Sequence, residues 1–558
     1  MKKFRLLFVV ILFSSFSYGQ QPLTYTNPIL SGFYPDPSIC RVGNDYYIVN
    51  SSFAYFPGLP LFHSTDLVNW KQIGNAMDRK EQLDLANAGV SRGLFAPSIT
   101  YHDGTFYIIC TLIDKGGNFV ITAKDPKGPW SNPSWLGQLN GIDPSLFFDE
   151  SGKAFIVYNS IAPDNKSLYN GHRTIRMVEF DAGTMKVIGE NKIIVNGGTD
   201  LSKEPIWIEA PHIFKKDEWY YLICAEGGTG YNHSEVVFRS KTVEGPYVPW
   251  EKNPILTQRH LDKTRENPIT TTGHAEFVQA PDGKWYAIFL GCRPYDSDYY
   301  NTGRETFMTP LEWKDGWPVI LEGNAEVKYR YPVPMPQATK AVINNFNGNL
   351  YFKDEFKEPA LNYRYLFLRN PVATVYSLPV KKGFLTLYLQ RQTASGKESP
   401  AFVGFRQSNL KGYAATEMDF NAFTRSEKAG LMIFQNETHY YFLCKSTEND
   451  QPVIQLYRSP SKAGEAEELL ATQKLDSKKN VYLKIEAKGG KYDFYFAEKK
   501  DKWQLLKDNI DGKFLSTSQA GGFVGSVFAL YATSNGKPSN VSAAFDWFEY
   551  KGDDDVFK

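Results

Sequence analysis

Short runs of aromatic and β-branched residues alternate along the chain with brief polar turns, and over the first 330 residues these runs keep fixed company. The runs are Asp45-Tyr46-Tyr47-Ile48-Val49, Thr105-Phe106-Tyr107-Ile108-Ile109, Ala154-Phe155-Ile156-Val157-Tyr158, Trp219-Tyr220-Tyr221-Leu222-Ile223 and Trp285-Tyr286-Ala287-Ile288-Phe289. Each follows a short phrase: Tyr34-Pro35-Asp36-Pro37-Ser38-Ile39, Phe95-Ala96-Pro97-Ser98-Ile99, Ile142-Asp143-Pro144-Ser145-Leu146, Glu209-Ala210-Pro211-His212-Ile213 and Gly273-His274-Ala275-Glu276-Phe277. Phrase, polar turn and run read as strand, hairpin and strand. Five copies at an irregular period predict five four-stranded units, a five-bladed β-propeller. Equivalent positions of successive blades converge on one mouth, so Asp36, Asp143 and Glu209 are expected to share a pocket.

The phrase stops at the proline-spaced connector Tyr331-Pro332-Val333-Pro334-Met335-Pro336. Beyond it, alternating segments such as 413–420, 439–444, 453–458, 481–487 and 491–497 predict a β-sandwich, with Gly489-Gly490 as a hairpin turn. Tyr492, Phe494 and Phe496 alternate with Lys491, Asp493 and Tyr495, which predicts one core face and one wet face. No long helical periodicity occurs, so the fold class is all-β. The expected domains are a leader at 1–19, the propeller at 20–335 and the sandwich at 336–558.

The leader is read from basic Met1-Lys2-Lys3-Phe4-Arg5, the apolar run 6–13 and a small-residue end near Gly19. It is too short for a transmembrane anchor, so export to the periplasm or outside the cell, without membrane insertion, is expected. A net charge of +1 with interspersed signs argues against a nucleic-acid partner. Five cysteines without metal-ligand spacing suggest buried free thiols. An aromatic content of 15% serves strand packing first, and aromatic faces also suit sugars.

Chemistry concentrates in the phrase. Prolines on both sides hold Asp36 rigidly, as a group that activates water should be held. Asp143 repeats that position. Glu209 stands one place earlier in its copy, an offset that aims it differently along a strand, and Trp207 nearby favours a raised pKa. Paired carboxylates flanking a bond are the equipment of glycoside hydrolysis, one protonating the leaving oxygen and one activating water or attacking. Asp143 would be a third carboxylate that keeps the acid protonated.

At these residues the sequence resembles glycoside hydrolase family 43, the β-xylosidase and α-L-arabinofuranosidase group. The matching stretches run from Asn27-Pro28-Ile29-Leu30 to Cys40, then Gly141 to Ser145, Ile208 to Ile213, Ala225 to Thr229, Thr272-Gly273-His274-Ala275, Gly303-Arg304-Glu305-Thr306-Phe307 and Ala429-Gly430-Leu431-Met432. The resemblance implies a concanavalin-like jelly roll for the sandwich. It also implies an inverting mechanism with Asp36 as general base, Glu209 as general acid and Asp143 tuning and orienting Glu209. Arg304, Phe53, Phe95 and His274 are the implied substrate-binding residues, with Arg304 against Glu305 as the competing structural reading. Phe95 stands where many relatives have tryptophan and Asn232-His233 where they often have Glu-His, which leaves the terminal sugar open. No organic cofactor is implied; Asp354 and Asp546 are candidates for a structural calcium. The implied activity is exo-release of terminal pentose, β-D-xylosyl or α-L-arabinofuranosyl, from xylan-type oligosaccharides or polysaccharides of plant cell walls. An endo-acting arabinanase and a non-catalytic carbohydrate-binding propeller are the alternatives.

Overall fold

A computed structural model describes residues 23–323, 325–335, 346–378, 383–462, 465–476 and 480–558; the expected leader lies outside them. Five antiparallel sheets of the first domain each run outward from a first strand. These first strands, β1 (Ser38–Val42), β2 (Ser98–His102), β3 (Gly141–Phe148), β4 (Glu209–Lys216) and β5 (Thr270–Gln279), pack against one another around the axis. The fourth blade carries an extra two-residue strand, Leu256–Thr257. Thr24–Thr26 pairs with Arg330–Pro332, so the proline connector begins inside a ribbon that ties the two ends of the propeller together. This is the five-bladed propeller the repeat predicts.

The repeat has a structural half and a strained half. The anchors are Asp36, Ala96, Asp143, Ala210 and His274, the aligned position of the five phrases; two places after four of them, side chains stitch blade to blade. Ser38 Oγ donates to Glu276 Oε2 at 2.6 Å and accepts from the Ile99 N–H at 2.9 Å. His212 Nδ1 lies 3.3 Å from Glu276 Oε1, and Ser145 Oγ donates to the Pro211 carbonyl at 2.5 Å. Four of the five anchors are left-handed, with φ of 52° at Asp36, 52° at Asp143, 50° at Ala210 and 55° at His274. That region costs an L-residue about 1–2 kcal/mol. In β3, β4 and β5 the ladder register shifts at these residues; bulges of this kind re-aim side chains at the rims of closed sheets.

The second domain is a sandwich of two large antiparallel sheets. Along Val481–Lys488 the residues Val481, Leu483, Ile485 and Ala487 face inward, as alternation requires. Tyr492, Phe494 and Phe496 are buried as expected, but Asp493 is buried too. It is satisfied there by Lys488 Nζ at 2.5 Å and the Asn509 N–H at 2.7 Å.

The domains are not separable bodies. Tyr55–Phe56 of the first blade adds an edge strand to a sandwich sheet, opposite Phe367 and Leu368. One apolar cluster runs from Leu94, Leu112 and Phe119 to Phe367, Leu387 and Phe528. Buried Arg293 holds Glu305 at 2.6 and 2.9 Å, Asp554 at 2.8 Å and the Ser408 carbonyl at 2.8 Å. All five cysteines are free thiols, four of them buried. Among the described residues no helix is long and apolar enough to cross a membrane.

Candidate active site

A cavity of about 590 Å³ opens where the blades converge, and Asp36, Asp143 and Glu209 all line it. The three carboxylates arrive from three blades, Asp36 and Asp143 at the same place in the repeat and Glu209 one residue before it. They are 4%, 8% and 6% exposed, yet they hold protons very differently.

Asp36 is fixed on both oxygens. Ser51 Oγ donates to Oδ2 at 2.5 Å, and Arg304 Nη1 lies 3.2 Å from Oδ1. Burial pushes its pKa up, but Arg304, two nearby histidines and the Ser51 hydroxyl outweigh burial and hold it below the usual carboxylate value. Those histidines, His274 and His233, are desolvated and driven down to about 3 and about 4, so they are neutral near pH 7. The Arg304 cation and the Ser51 donor therefore carry the depression.

Glu209 moves the other way. Burial and the charge of Asp143 raise it well above the ordinary glutamate value, against the pull of Arg304. Asp143, desolvated and facing Asp36, is pushed up to about 7, while an N–H of Ala210 pulls against the rise. Asp143 and Glu209 are thus both shifted toward keeping a proton, Glu209 by burial and by the charge of Asp143. The cavity holds one ionised carboxylate with a fixed geometry and one carboxylic acid able to give a proton.

Two buried carboxyls with opposed proton affinities, one residue apart in register on a five-fold repeat, stand alongside the sequence comparison. The family described as Glycosyl hydrolases family 43 matches residues 25–318, and the Beta xylosidase C-terminal Concanavalin A-like domain matches residues 353–551. The chain belongs to glycosyl hydrolase family 43. A xylosidase/arabinosidase of Butyrivibrio fibrisolvens is 38% identical over 526 residues, 94% of this chain and 98% of that protein. A non-reducing end alpha-L-arabinofuranosidase of Bacteroides ovatus is 34% identical, with 98% of each chain covered. Among solved structures, a GH43_12 protein from a capybara gut metagenome superposes with a TM-score of 0.85 at 41% identity, covering 92% of this chain and 96% of that one. The family 43 chain is a glycoside hydrolase with a concanavalin-like second domain.

Arg304 pairs with Asp36, not with its sequence neighbour Glu305, which is held by Arg293. Phe53 and Phe95 both line the cavity and meet edge to face, ring centres 5.9 Å apart. His274 also lines it, with Nδ1 3.8 Å from Asp36 Oδ1. Asp354 is not among the residues that line the cavity and lies on a strand paired with the one that carries Asp546. Its Oδ1 accepts the Phe356 N–H at 2.8 Å. Calcium takes six to eight oxygens, and among the described residues no three His, Cys, Asp or Glu side chains are grouped to hold an ion. Asp354 and Asp546 could supply only part of such a shell, the rest coming from carbonyl or water oxygens.

Two participants escaped sequence reading, Phe523 and Arg173, while His233 belongs to the Asn232-His233 pair expected to border the pocket. Phe523, from a sandwich loop, lines the cavity, stacks on Phe53 with ring centres 5.9 Å apart, and lies 5.3 Å beneath the Arg304 guanidinium. The loop is seated by the Phe523 N–H on Ser91 Oγ at 2.9 Å and the Ser526 N–H on the Asn301 carbonyl at 2.7 Å. Gly303 and Gly525 meet back to back, since a Cβ on Gly303 would stand 2.7 Å from the Gly525 nitrogen. His233 hydrogen-bonds the Thr271 carbonyl through Nδ1 at 3.1 Å, which makes Nδ1 the protonated nitrogen. Arg173 borders the cavity on the Glu209 side.

Proposed function

We propose that this family 43 enzyme is an exo-acting inverting glycosidase that releases terminal pentose, β-D-xylosyl or α-L-arabinofuranosyl, from xylan or arabinoxylan oligosaccharides. The observation that carries the reading is the split between Asp36, held ionised by Arg304 and Ser51, and Glu209, held protonated beside Asp143. Asp36 accepts a proton from water as the water attacks the anomeric carbon. Glu209 protonates the leaving oxygen, and Asp143 keeps that proton available. Arg304, which orients Asp36, also offers donors to sugar hydroxyls; its Nε is buried without a hydrogen-bond partner. Phe53, Phe95 and Phe523 give the terminal sugar an apolar wall.

Exo action is favoured over the open groove of an endo-arabinanase because the sandwich plugs one side of the cavity with Phe523. Catalysis is favoured over mere sugar binding because a binding module has no use for opposed proton affinities. The names of the relatives, xylosidase/arabinosidase and alpha-L-arabinofuranosidase, support the choice of pentose. Export belongs to the same reading, and N-terminal sequencing of the mature protein, cut near Gly19, tests it.

Side-by-side turnover of nitrophenyl β-D-xylopyranoside and nitrophenyl α-L-arabinofuranoside tests the activity and ranks the two pentoses. Proton NMR of the first-formed xylose tests the stereochemistry: inversion gives the α-anomer from a β-xyloside. Inertness toward both substrates at high enzyme concentration, or a β-anomer as first product, overturns the reading.

A further inference from the structure

Three arginines line the cavity, and two of them are spoken for. Arg304 is paired with Asp36. Arg92, at the aromatic wall, is neutralised by Asp114 at 2.5 Å. Arg173 has no hydrogen-bond or ion-pair partner for its guanidinium among the described residues; its one close companion is the Trp207 ring, 3.9 Å from the guanidinium carbon. Both residues line the cavity.

Trp207 is held in an unfavourable conformation to make this platform. Its φ is 53°, a true outlier for a bulky residue, and its N–H is tied to the Gly171 carbonyl at 2.9 Å. Strain of this sort costs about 1–3 kcal/mol and persists where the surroundings over-determine it, commonly at binding sites. Stacking on the indole pre-orients a planar fork of donors, so less freedom is lost when those donors are used.

The platform also has a side. Arg173 and Glu209 feel each other's charge, whereas Asp36 answers to Arg304. A general acid stands beside the oxygen that departs, so the Glu209 side is where the leaving group sits. We propose that Arg173, laid flat on Trp207, binds the leaving group by donating to the hydroxyls of a sugar unit on the reducing-end side of the scissile bond. This assignment rests on the exo-glycosidase reading and adds to it a preference for sugar over aromatic leaving groups.

The test compares wild type, Arg173→Met and Arg173→Lys on a nitrophenyl pentoside and on the matching pentosyl oligosaccharide. The expected result is a loss of about 100-fold in kcat/KM on the oligosaccharide for Arg173→Met, about 2.7 kcal/mol, carried mostly by KM, with under about threefold on the nitrophenyl substrate. Arg173→Lys, which keeps the charge without the fork, should recover no more than about a tenth of the lost oligosaccharide activity. The alkaline limb of the pH profile of Arg173→Met should move to higher pH, because removing a cation makes Glu209 harder to ionise. Equal losses on both substrates, or full activity of Arg173→Met on the oligosaccharide, would overturn the assignment while the nitrophenyl activity of wild type still stands. Wild-type inertness on both substrates would overturn the assignment and the underlying reading together.

Discussion

Asp36 and Glu209 are buried to almost the same degree, 4% and 6% exposed, and their proton affinities move in opposite directions. Burial therefore does not decide what a carboxyl becomes at this mouth. At the Asp36 end a cation and a hydroxyl donor overcome desolvation. At the Glu209 end the nearest strong influence is another carboxylate, which adds to it. The backbone draws the same distinction: Asp36 is itself the left-handed anchor, whereas in the fourth blade the anchor is Ala210 and the carboxylate precedes it. One repeat position, shifted by one residue, gives a carboxyl with lowered proton affinity in one blade and one with raised proton affinity in another.

Breaking the Asp36 end should have the largest effect. Asp36→Asn removes the group proposed to activate water, and kcat should fall by about 10⁴ or more on every substrate, whatever the leaving group. Steady-state kinetics across a series of aryl pentosides checks this through an unchanged dependence on leaving-group pKa. Glu209→Gln breaks the other end and should behave differently. It should cost about 10³ on oligosaccharides but only about tenfold on dinitrophenyl pentosides, whose leaving oxygen needs little protonation. A flat loss across that series would assign Glu209 some other role. The alkaline limb, set in wild type by the Asp143–Glu209 pair, should vanish in Glu209→Gln.

The wall between the two ends comes from the other domain, and a third prediction isolates it. Gly303→Ala forces a Cβ to within 2.7 Å of the Gly525 nitrogen at a φ of 73°, so the loop bearing Phe523 must withdraw. KM for small pentosides should rise about tenfold, with a smaller change in kcat, and Phe523→Ala should reproduce the rise without the backbone strain. An unchanged KM in both variants would remove Phe523 from the terminal-sugar site.

The contrast between the carboxylates was legible in the sequence because the phrase carrying them does two jobs. Its Ser, His and Glu positions bind blade to blade, which keeps it recognisable, and its anchor positions face the mouth. The sandwich was legible from alternation in segments such as Val481–Lys488. What sequence could not give was tertiary. Phe523 reaches the cavity from a loop that follows no repeat, and Tyr55–Phe56 crosses into a sandwich sheet from within the first blade. Glu305 beside Arg304 suggests a pair, but the buried Arg293 claims Glu305 with two hydrogen bonds and leaves Arg304 to Asp36. Asp354 and Asp546 do fall on paired strands, yet a calcium shell depends on oxygens that no spacing of acids reveals.

The gentlest way to sharpen the comparison is Ser51→Ala, which removes one donor from Asp36 and leaves Arg304 in place. The Ser51 hydroxyl bonds the ionised form, so its loss must raise the pKa of Asp36. A base works only when deprotonated, hence the acid limb of kcat/KM should move to higher pH, and the activity lost should lie below the shifted limb. The alkaline limb, which the proposed mechanism assigns to Glu209, should stay where it is. At the optimum the variant should lose less than about tenfold, in keeping with about 1.5–3 kcal/mol for a hydrogen bond to a charged group, partly replaced by water in the space the hydroxyl leaves. If both limbs moved together, the two ends of the cavity would be a single titrating system, and the separate roles of Asp36 and Glu209 would have to be redrawn as properties of all three carboxylates at once.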